Sequence, residues 1–164
     1  KSTTDTVTGF TSSDKIYIDV SASGEFSTLH NTAGTAFDDD DETAAVAAVN
    51  IAGGDAAITA SKNIFSWNAN TSALSTGYAN FAALATALDG VAALTESGGG
   101  DFAATDELLG VFYNSTDNVY DVGIMTVVGN TGIDGGDETW ESLLQIDSTG
   151  VTQAEVAASI VFFN

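Results

Sequence analysis

Several residue types are missing or scarce in this chain. It has no cysteine, no proline and no arginine, and its cationic side chains are three lysines and a single histidine. Without cysteine, disulfides and zinc-thiolate sites are excluded. The chain also avoids two slow steps of folding, disulfide shuffling and prolyl isomerisation. These absences suit a domain that is exported unfolded and folds quickly outside the cell.

The shortage of positive charge excludes two classes of partner. The formal net charge is −20 at pH 7. Nucleic-acid phosphates require clustered Lys or Arg, so we expect no nucleic-acid binding. Anionic membrane surfaces are excluded for the same reason. No apolar run approaches the length of a membrane span, so we expect no membrane insertion.

Acidic residues are abundant, and aspartate predominates over glutamate. The chain has sixteen Asp and seven Glu. Such an excess either binds divalent cations, with calcium the natural choice for oxygen ligands, or keeps a protein soluble in high salt. The preference for short Asp side chains favours cation binding. Hydrophobic residues make up 44% of the 164 residues, which is too many for a disordered acidic tail and predicts one domain over residues 1–164.

The stretch from Asp5 to Ala22 has the most distinctive pattern. Ile16, Ile18 and Val20 alternate with Tyr17, Asp19 and Ser21, which predicts a strand with one buried face. A shorter alternating piece, Thr4 to Phe10, precedes it, and a polar turn joins the two.

This stretch resembles the segment that follows the glycine-aspartate repeats of secreted RTX proteins, which reads roughly D-x-I-x-x-F-x-x-x-x-D-x-I-x-[L/V]-S. The matching residues are Asp5, Val7, Phe10, Asp14, Ile16, Ile18 and Ser21. The repeats themselves are absent. The resemblance implies an extracellular or cell-surface protein exported by type I secretion and associated with calcium. The apolar end from Ala157 to Asn164 is similar to the uncleaved C-terminal signal of such proteins, and it would equally form a plain terminal strand.

The C-terminal half is predicted to be β-structure. Glu107–Tyr113 and Asn118–Val128 are separated by a polar turn and predict a hairpin. Two further strands are predicted, at Thr139–Ile146 and Ala158–Phe163.

The N-terminal half contains the clearest helix signal. In Tyr78–Leu88 the large apolar residues fall on one helical face, and Asp89-Gly90 ends the segment. Thr43–Asn50 is either a short helix or a buried strand, and Asn63–Asn68 alternates as a strand does. The fold class predicted from these segments is mainly β, a sandwich or an α+β sheet, with one or two short helices.

Three groups of carboxylates are candidate metal ligands. Asp134, Asp137 and Glu138 lie in a glycine-rich loop that would let oxygen ligands converge on one cation, or that is an ordinary acidic loop. Asp5 and Asp14 flank the first turn, where they bind a cation or cap the turn. Asp38 and Asp40 belong to an acidic run that is either a calcium loop or a solvated loop before a helix.

Catalytic groups are scarce. The only histidine, His30, lies in a polar stretch, and no nucleophile-elbow motif is present. No Glu lies inside an apolar run that would raise its pKa. We therefore expect a protein that is not an enzyme. An alternative is a carbohydrate-binding or carbohydrate-active domain that uses Trp67, Trp140 and paired carboxylates.

Taken together, these features predict a non-enzymatic structural module of a secreted surface protein, as in a surface layer, a filament or an adhesin. We expect calcium to stabilise it and copies of the chain to associate with one another. Long apolar strands such as Val119–Val128 or Ser159–Phe163 could pair with a second copy if they lay at a sheet edge.

Overall fold

A computed structural model describes residues 5–20, 29, 44, 46–50, 57–58, 62–68, 77–89, 95–96, 105–128 and 138–163. In chain order the elements are β1 (Thr6–Val7), β2 (Ile16–Asp19), β3 (Val46–Asn50), β4 (Ala57–Ile58), β5 (Ile64–Asn68), α1 (Phe81–Asp89), β6 (Thr95–Glu96), β7 (Glu107–Asn114), β8 (Val119–Thr126), β9 (Thr139–Asp147), α2 (Gln153–Ala158) and β10 (Ile160–Phe163). The predicted class is confirmed: the described part is mainly β, with two short helices.

A mixed six-stranded sheet forms the centre, in the order β1-β9-β8-β7-β5-β3. Strands β7, β8 and β9 pair antiparallel, and the other neighbours pair parallel. The β7–β8 hairpin is confirmed, and Asn114 stabilises its turn by accepting hydrogen bonds from the backbone amides of Thr116 and Asp117 at 3.1 and 3.2 Å. Because β8 lies between two strands, the expectation that Val119–Val128 could lie at a sheet edge is wrong.

One face of this sheet packs against α1. The helix buries Leu84 and Leu88 against Phe65, Trp67 and other apolar side chains of the sheet. It begins at Phe81, three residues later than the sequence predicted, because Asn80 caps it by accepting a hydrogen bond from the amide of Ala83 at 3.0 Å. Tyr78 instead joins the sheet through a bridge to Asn114.

The opposite face packs against a second layer made of α2 and the parallel pair β2–β10. Ile16 and Ile18 point inward, as the alternation predicted, together with Ile160 and Phe162 of β10. The segment Val46–Asn50, for which helix and strand were both open, is a strand that pairs with β5. The described architecture is thus a central sheet with one helix on one face and a helix plus a small sheet on the other.

Helix α2 was not predicted from the sequence. The predicted last strand began at Ala158, but that residue ends α2 and the strand begins at Ile160. Thr152 and Glu155 form a capping box. The Thr152 hydroxyl accepts a hydrogen bond from the Glu155 amide, and the Glu155 carboxylate accepts one from the Thr152 amide. The T-x-x-E spacing of this box was present in the sequence and was the available signal.

Gln153 fastens α2 to the central sheet. Its side-chain amide nitrogen lies 3.0 Å from the Ser66 hydroxyl, the Trp67 carbonyl and the Val111 carbonyl. Two N–H groups therefore serve three acceptors on β5 and β7, inside the core. A buried carbonyl that loses its donor costs about 1–3 kcal/mol. The hydrogen bonds of Gln153 therefore contribute substantially to the free energy that holds α2 against the sheet.

We expect Gln153→Met to lower the free energy of unfolding by about 2–4 kcal/mol, because it keeps the side-chain length but leaves two backbone carbonyls without their donor. Urea unfolding followed by tryptophan fluorescence measures this. Ser66→Ala is the matched control: it removes one acceptor and leaves the two carbonyl bonds, so its effect should be clearly smaller. An equal loss in the two variants would contradict this role of Gln153.

Candidate functional site

The seven predicted metal ligands divide into two groups. Asp38, Asp40, Asp134 and Asp137 lie outside the described residues, as does His30. Asp5, Asp14 and Glu138 are described. Within the described ranges, no group of three or more His, Asp or Glu side chains is placed to hold one metal ion.

Asp14 caps its own turn. Its carboxylate accepts hydrogen bonds from the Thr11 amide at 2.8 Å and the Thr11 hydroxyl at 3.0 Å, while its own amide donates to the Thr11 carbonyl at 3.0 Å. This is the turn-capping alternative considered for Asp14. Asp5 is exposed, and its backbone carbonyl accepts a hydrogen bond from the Gln145 amide at 3.1 Å, next to the β1–β9 pairing.

Glu138 is in a different position. It lies immediately before β9 and is only 6% exposed, and its Oε2 is buried with no hydrogen-bond partner among the described residues. A buried carboxylate oxygen without a donor or a cation is costly. The side chain is therefore the one predicted ligand whose described surroundings call for a positive charge or a donor.

A second buried carboxylate lies in the same row of the sheet as Glu138. Glu107 pairs with Thr126 and Thr126 pairs with Thr139, and extending this register by one residue would place Asp106, Val127 and Glu138 side by side. The Val127 amide donates to the Asp106 carbonyl at 2.9 Å, which continues the pairing to this row. Strands lie about 4.8 Å apart, so the backbones of Asp106 and Glu138 are about 10 Å apart, with both side chains on one face. This end of the sheet, here called the acidic row, would then carry two buried carboxylates on one face, with the buried side chain of Val127 between them.

A third buried carboxylate, Asp121, was missed by sequence reasoning. It lies in the middle of β8 and accepts hydrogen bonds from the Trp140 indole at 3.0 Å and the Gln145 amide at 3.2 Å. The signal was an Asp inside an apolar strand pattern, but its two donors lie about twenty residues further along the chain. Asp121 shows how a buried carboxylate is accommodated here, and its pairing contrasts with the unpartnered Oε2 of Glu138.

The two tryptophans pack inside the protein. Trp67 is 1% exposed and lies against Gly110, where any added side chain would meet its indole nitrogen. Trp140 is partly buried, stacks on Phe81 of α1 with ring centroids 5.4 Å apart, and lies over Gly123. Both rings belong to the packing between α1 and the sheet, which does not leave either as an open platform for a sugar.

The small β2–β10 sheet carries a set of exposed apolar side chains on its outer face, here called the outer strip: Tyr17, Val161 and Phe163. Tyr17 is 65% exposed and Phe163 45%, and their rings meet edge to face with centroids 6.3 Å apart. Val161 pairs with Tyr17 across the strands and is half-buried. Large apolar groups gathered on one surface indicate an interaction site more strongly than scattered ones.

Two further properties bear on function. In the described ranges, no helix combines the length and the apolar character that a membrane crossing requires. Comparison with protein-family models, with curated proteins and with solved structures found no match for this chain. The functional argument therefore depends on the residues and their geometry.

Two exposed carboxylates serve as caps and carry perturbed pKa values. Hydrogen bonds from the Thr152 hydroxyl and amide lower the pKa of Glu155, and those from the Thr149 hydroxyl and amide lower the pKa of Asp147. A lowered pKa in the folded state stabilises the protein above the unfolded-state pKa, and this contribution is lost as the pH falls through the folded-state pKa.

Glu155→Gln keeps the capping geometry but removes the charge, so we expect its unfolding midpoint to fall less than that of the parent protein as the pH drops below about 4.5, the ordinary Glu pKa. Urea unfolding between neutral pH and pH 3 measures the difference. Glu141→Gln is the control, an exposed carboxylate on β9 outside any cap. A parallel pH dependence of Glu155→Gln and the parent protein would contradict the linkage.

Proposed function

We propose that this chain is a non-enzymatic structural module of an extracellular or cell-surface assembly of RTX type, stabilised by a divalent cation and self-associating. Calcium is the expected ion because carboxylate and carbonyl oxygens are its preferred ligands. The observation that carries the proposal is the buried Oε2 of Glu138, which has no hydrogen-bond partner among the described residues.

The geometry of the acidic row suits a hard cation. In the register extended above, Asp106 and Glu138 project from the same side of the sheet with backbones about 10 Å apart, and calcium takes carboxylate oxygens at about 2.3–2.6 Å. The glycine-rich segment with Asp134 and Asp137 leads directly into Glu138, and the sequence predicts further oxygen ligands from it. A cation at Glu138 would also neutralise a charge that is otherwise buried at a cost.

The net charge of the chain also favours cation binding in any assembly of several copies. Each copy carries a formal −20, so association of two copies meets strong repulsion at low ionic strength. Bound divalent cations reduce that charge by two each. Cation binding and self-association are therefore expected to be linked, and the exposed outer strip supplies an apolar surface on which copies can meet.

The described carboxylates act mainly as structural groups. Asp14, Asp147 and Glu155 cap turns or a helix, and Asp121 accepts from two core donors. These roles support a scaffold rather than acid–base catalysis. The carbohydrate alternative draws less support, because the rings of Trp67 and Trp140 are engaged in packing.

Thermal unfolding with calcium and with EGTA tests the cation proposal. For the parent protein we expect a melting temperature that rises with calcium, by several degrees once the ion is at about 100 times its dissociation constant. For Glu138→Gln in EGTA we expect a melting temperature at least equal to that of the parent protein, because a buried charge is removed. Adding calcium should then raise the melting temperature of this variant little.

Glu141→Gln is again the matched control, with the same change of charge at an exposed position on the same strand. It should keep the calcium response of the parent protein. A melting temperature and assembly state of the parent that are identical in calcium and in EGTA would contradict a cation-stabilised module. A normal calcium response in Glu138→Gln would place the ion elsewhere.

A further inference from the structure

Two tyrosines face each other across the β7–β8 hairpin. Tyr113 pairs directly with Tyr120 in the antiparallel ladder, and their ring centroids lie 5.4 Å apart with an angle of 49° between the ring planes. Residues directly opposite in such a ladder project from the same face of the sheet as close neighbours. Tyr120 packs against the core on the side of α2, so both rings lie side by side on that face.

Hydrogen bonds hold both phenols in this position. The Tyr113 hydroxyl donates to Oδ1 of Asn118, in the hairpin turn, at 2.7 Å. The Tyr120 hydroxyl donates to the carbonyl of Val151, just before α2, at 3.2 Å. Both tyrosines are nevertheless partly exposed, so a small oxidant in the solvent can reach them. The pair is therefore fixed in position and accessible at the same time.

The rest of the chain offers few groups that compete for an oxidant. It has no cysteine, and its single methionine, Met125, is 0% exposed. Both tryptophans pack between α1 and the sheet. Of the other two tyrosines, Tyr78 is 8% exposed. Tyr17 is 65% exposed, but its ring packs against Phe163, which has no phenol to couple with.

The net charge distinguishes coupling within one chain from coupling between two chains. Each copy carries a formal −20, so oxidised tyrosines such as Tyr17 on separate copies would approach one another against strong repulsion at low ionic strength. Tyr113 and Tyr120 are held together by the fold and meet no such barrier. Groups held in contact react as if at a concentration far above any that a dissolved protein reaches. Coupling within the hairpin is therefore favoured.

The geometry of a coupled pair is close to the observed one. Two aromatic rings joined by a carbon–carbon bond of about 1.5 Å have centroids about 4.3 Å apart, so the rings of Tyr113 and Tyr120 need to approach by only about 1 Å. Directly joined rings with neighbouring hydroxyls are twisted rather than coplanar, and the two planes are already inclined by 49°. Small side-chain rotations are enough to reach the product.

We propose that Tyr113 and Tyr120 form an oxidative cross-linking site, at which a one-electron oxidant joins the two rings as dityrosine. Each phenol loses one electron and one proton, and the two radicals combine through the ring carbons beside the hydroxyls. The hydrogen on each of these carbons then moves as a proton to the oxygen, which restores both phenols. With hydrogen peroxide as the final acceptor, the two electrons and two protons yield two molecules of water.

Such a bond would fix β7 to β8 in a chain that has no cysteine for a disulfide. A cross-link that closes a loop restricts the unfolded chain and so stabilises the folded one. The proposal is independent of cation binding and of self-association, because both tyrosines belong to one copy.

Photo-oxidation with a ruthenium tris(bipyridyl) complex and persulfate, a small one-electron oxidant, tests the site. The protein is treated in EGTA at low concentration, which keeps it monomeric. We expect dityrosine fluorescence in a product that remains a monomer on a denaturing gel and has lost two hydrogen atoms by mass spectrometry. Proteolytic cleavage at Asp117, which lies between the two tyrosines, should leave the two resulting peptides joined.

Three matched variants identify the residues. Tyr113→Phe and Tyr120→Phe each remove one phenol, and we expect the yield of monomeric dityrosine to fall about tenfold or more in both. Tyr17→Phe is the same change at the most exposed tyrosine and should keep the yield within about twofold of the parent protein. Circular dichroism confirms that each variant is folded. Oxidation should also raise the urea unfolding midpoint of the parent protein but not that of Tyr120→Phe.

The outcomes decide between this site and the alternatives. Monomeric dityrosine that depends on Tyr113 and Tyr120 but not on Tyr17 supports the proposal. Cross-linked dimers as the main product, with their yield abolished by Tyr17→Phe, overturn it in favour of coupling between copies. A dityrosine yield that neither hairpin variant lowers, or a parent protein that forms no dityrosine, also overturns it.

Discussion

The middle of the central sheet, strands β7 and β8, is buried on both faces, and the rest of the described structure follows from that constraint. Strands β7 and β8 are buried along almost their whole length, so each face needs a covering layer. Helix α1 covers one face, and α2 with the β2–β10 pair covers the other. Gln153 joins the second layer to the sheet by hydrogen bonds as well as by contact. The second layer, which carries the outer strip, is thus positioned by the need to cover the core.

Burial of the sheet also determines which carboxylates need hydrogen-bond donors or a cation inside the protein. Most of the described carboxylates stay in water, but Asp106, Asp121 and Glu138 are buried with the segments that carry them. Asp121 is supplied with two donors, from Trp140 and Gln145, whereas Oε2 of Glu138 is not. Removing a carboxylate from water is costly, so this difference is where the geometry points toward a ligand.

Much of the fold was predictable, and little of the site was. Local periodicity was enough for the β7–β8 hairpin, for α1 and for the inward face of β2, because each signal lies within one segment. The candidate ligands were named from local acidic patterns in loops and turns, but such patterns do not distinguish Asp14, whose carboxylate caps its own turn, from Glu138, whose carboxylate is buried. That distinction depends on which residues lie opposite across three strands. Asp121 was missed for the same reason, since its donors come from β9.

The sequence alone determined the fold class, the acidity, the absence of cysteine and proline chemistry, and the alternation that turns Tyr17 outward. Only the tertiary structure decided that β8 is an interior strand, that β2 pairs with the last strand β10, and that Asp106 and Glu138 are buried. The physical reason is that local propensity and periodicity act within a few residues. Strand order and register depend on contacts between residues more than a hundred positions apart, such as Ile16 and Ile160, which no local pattern specifies.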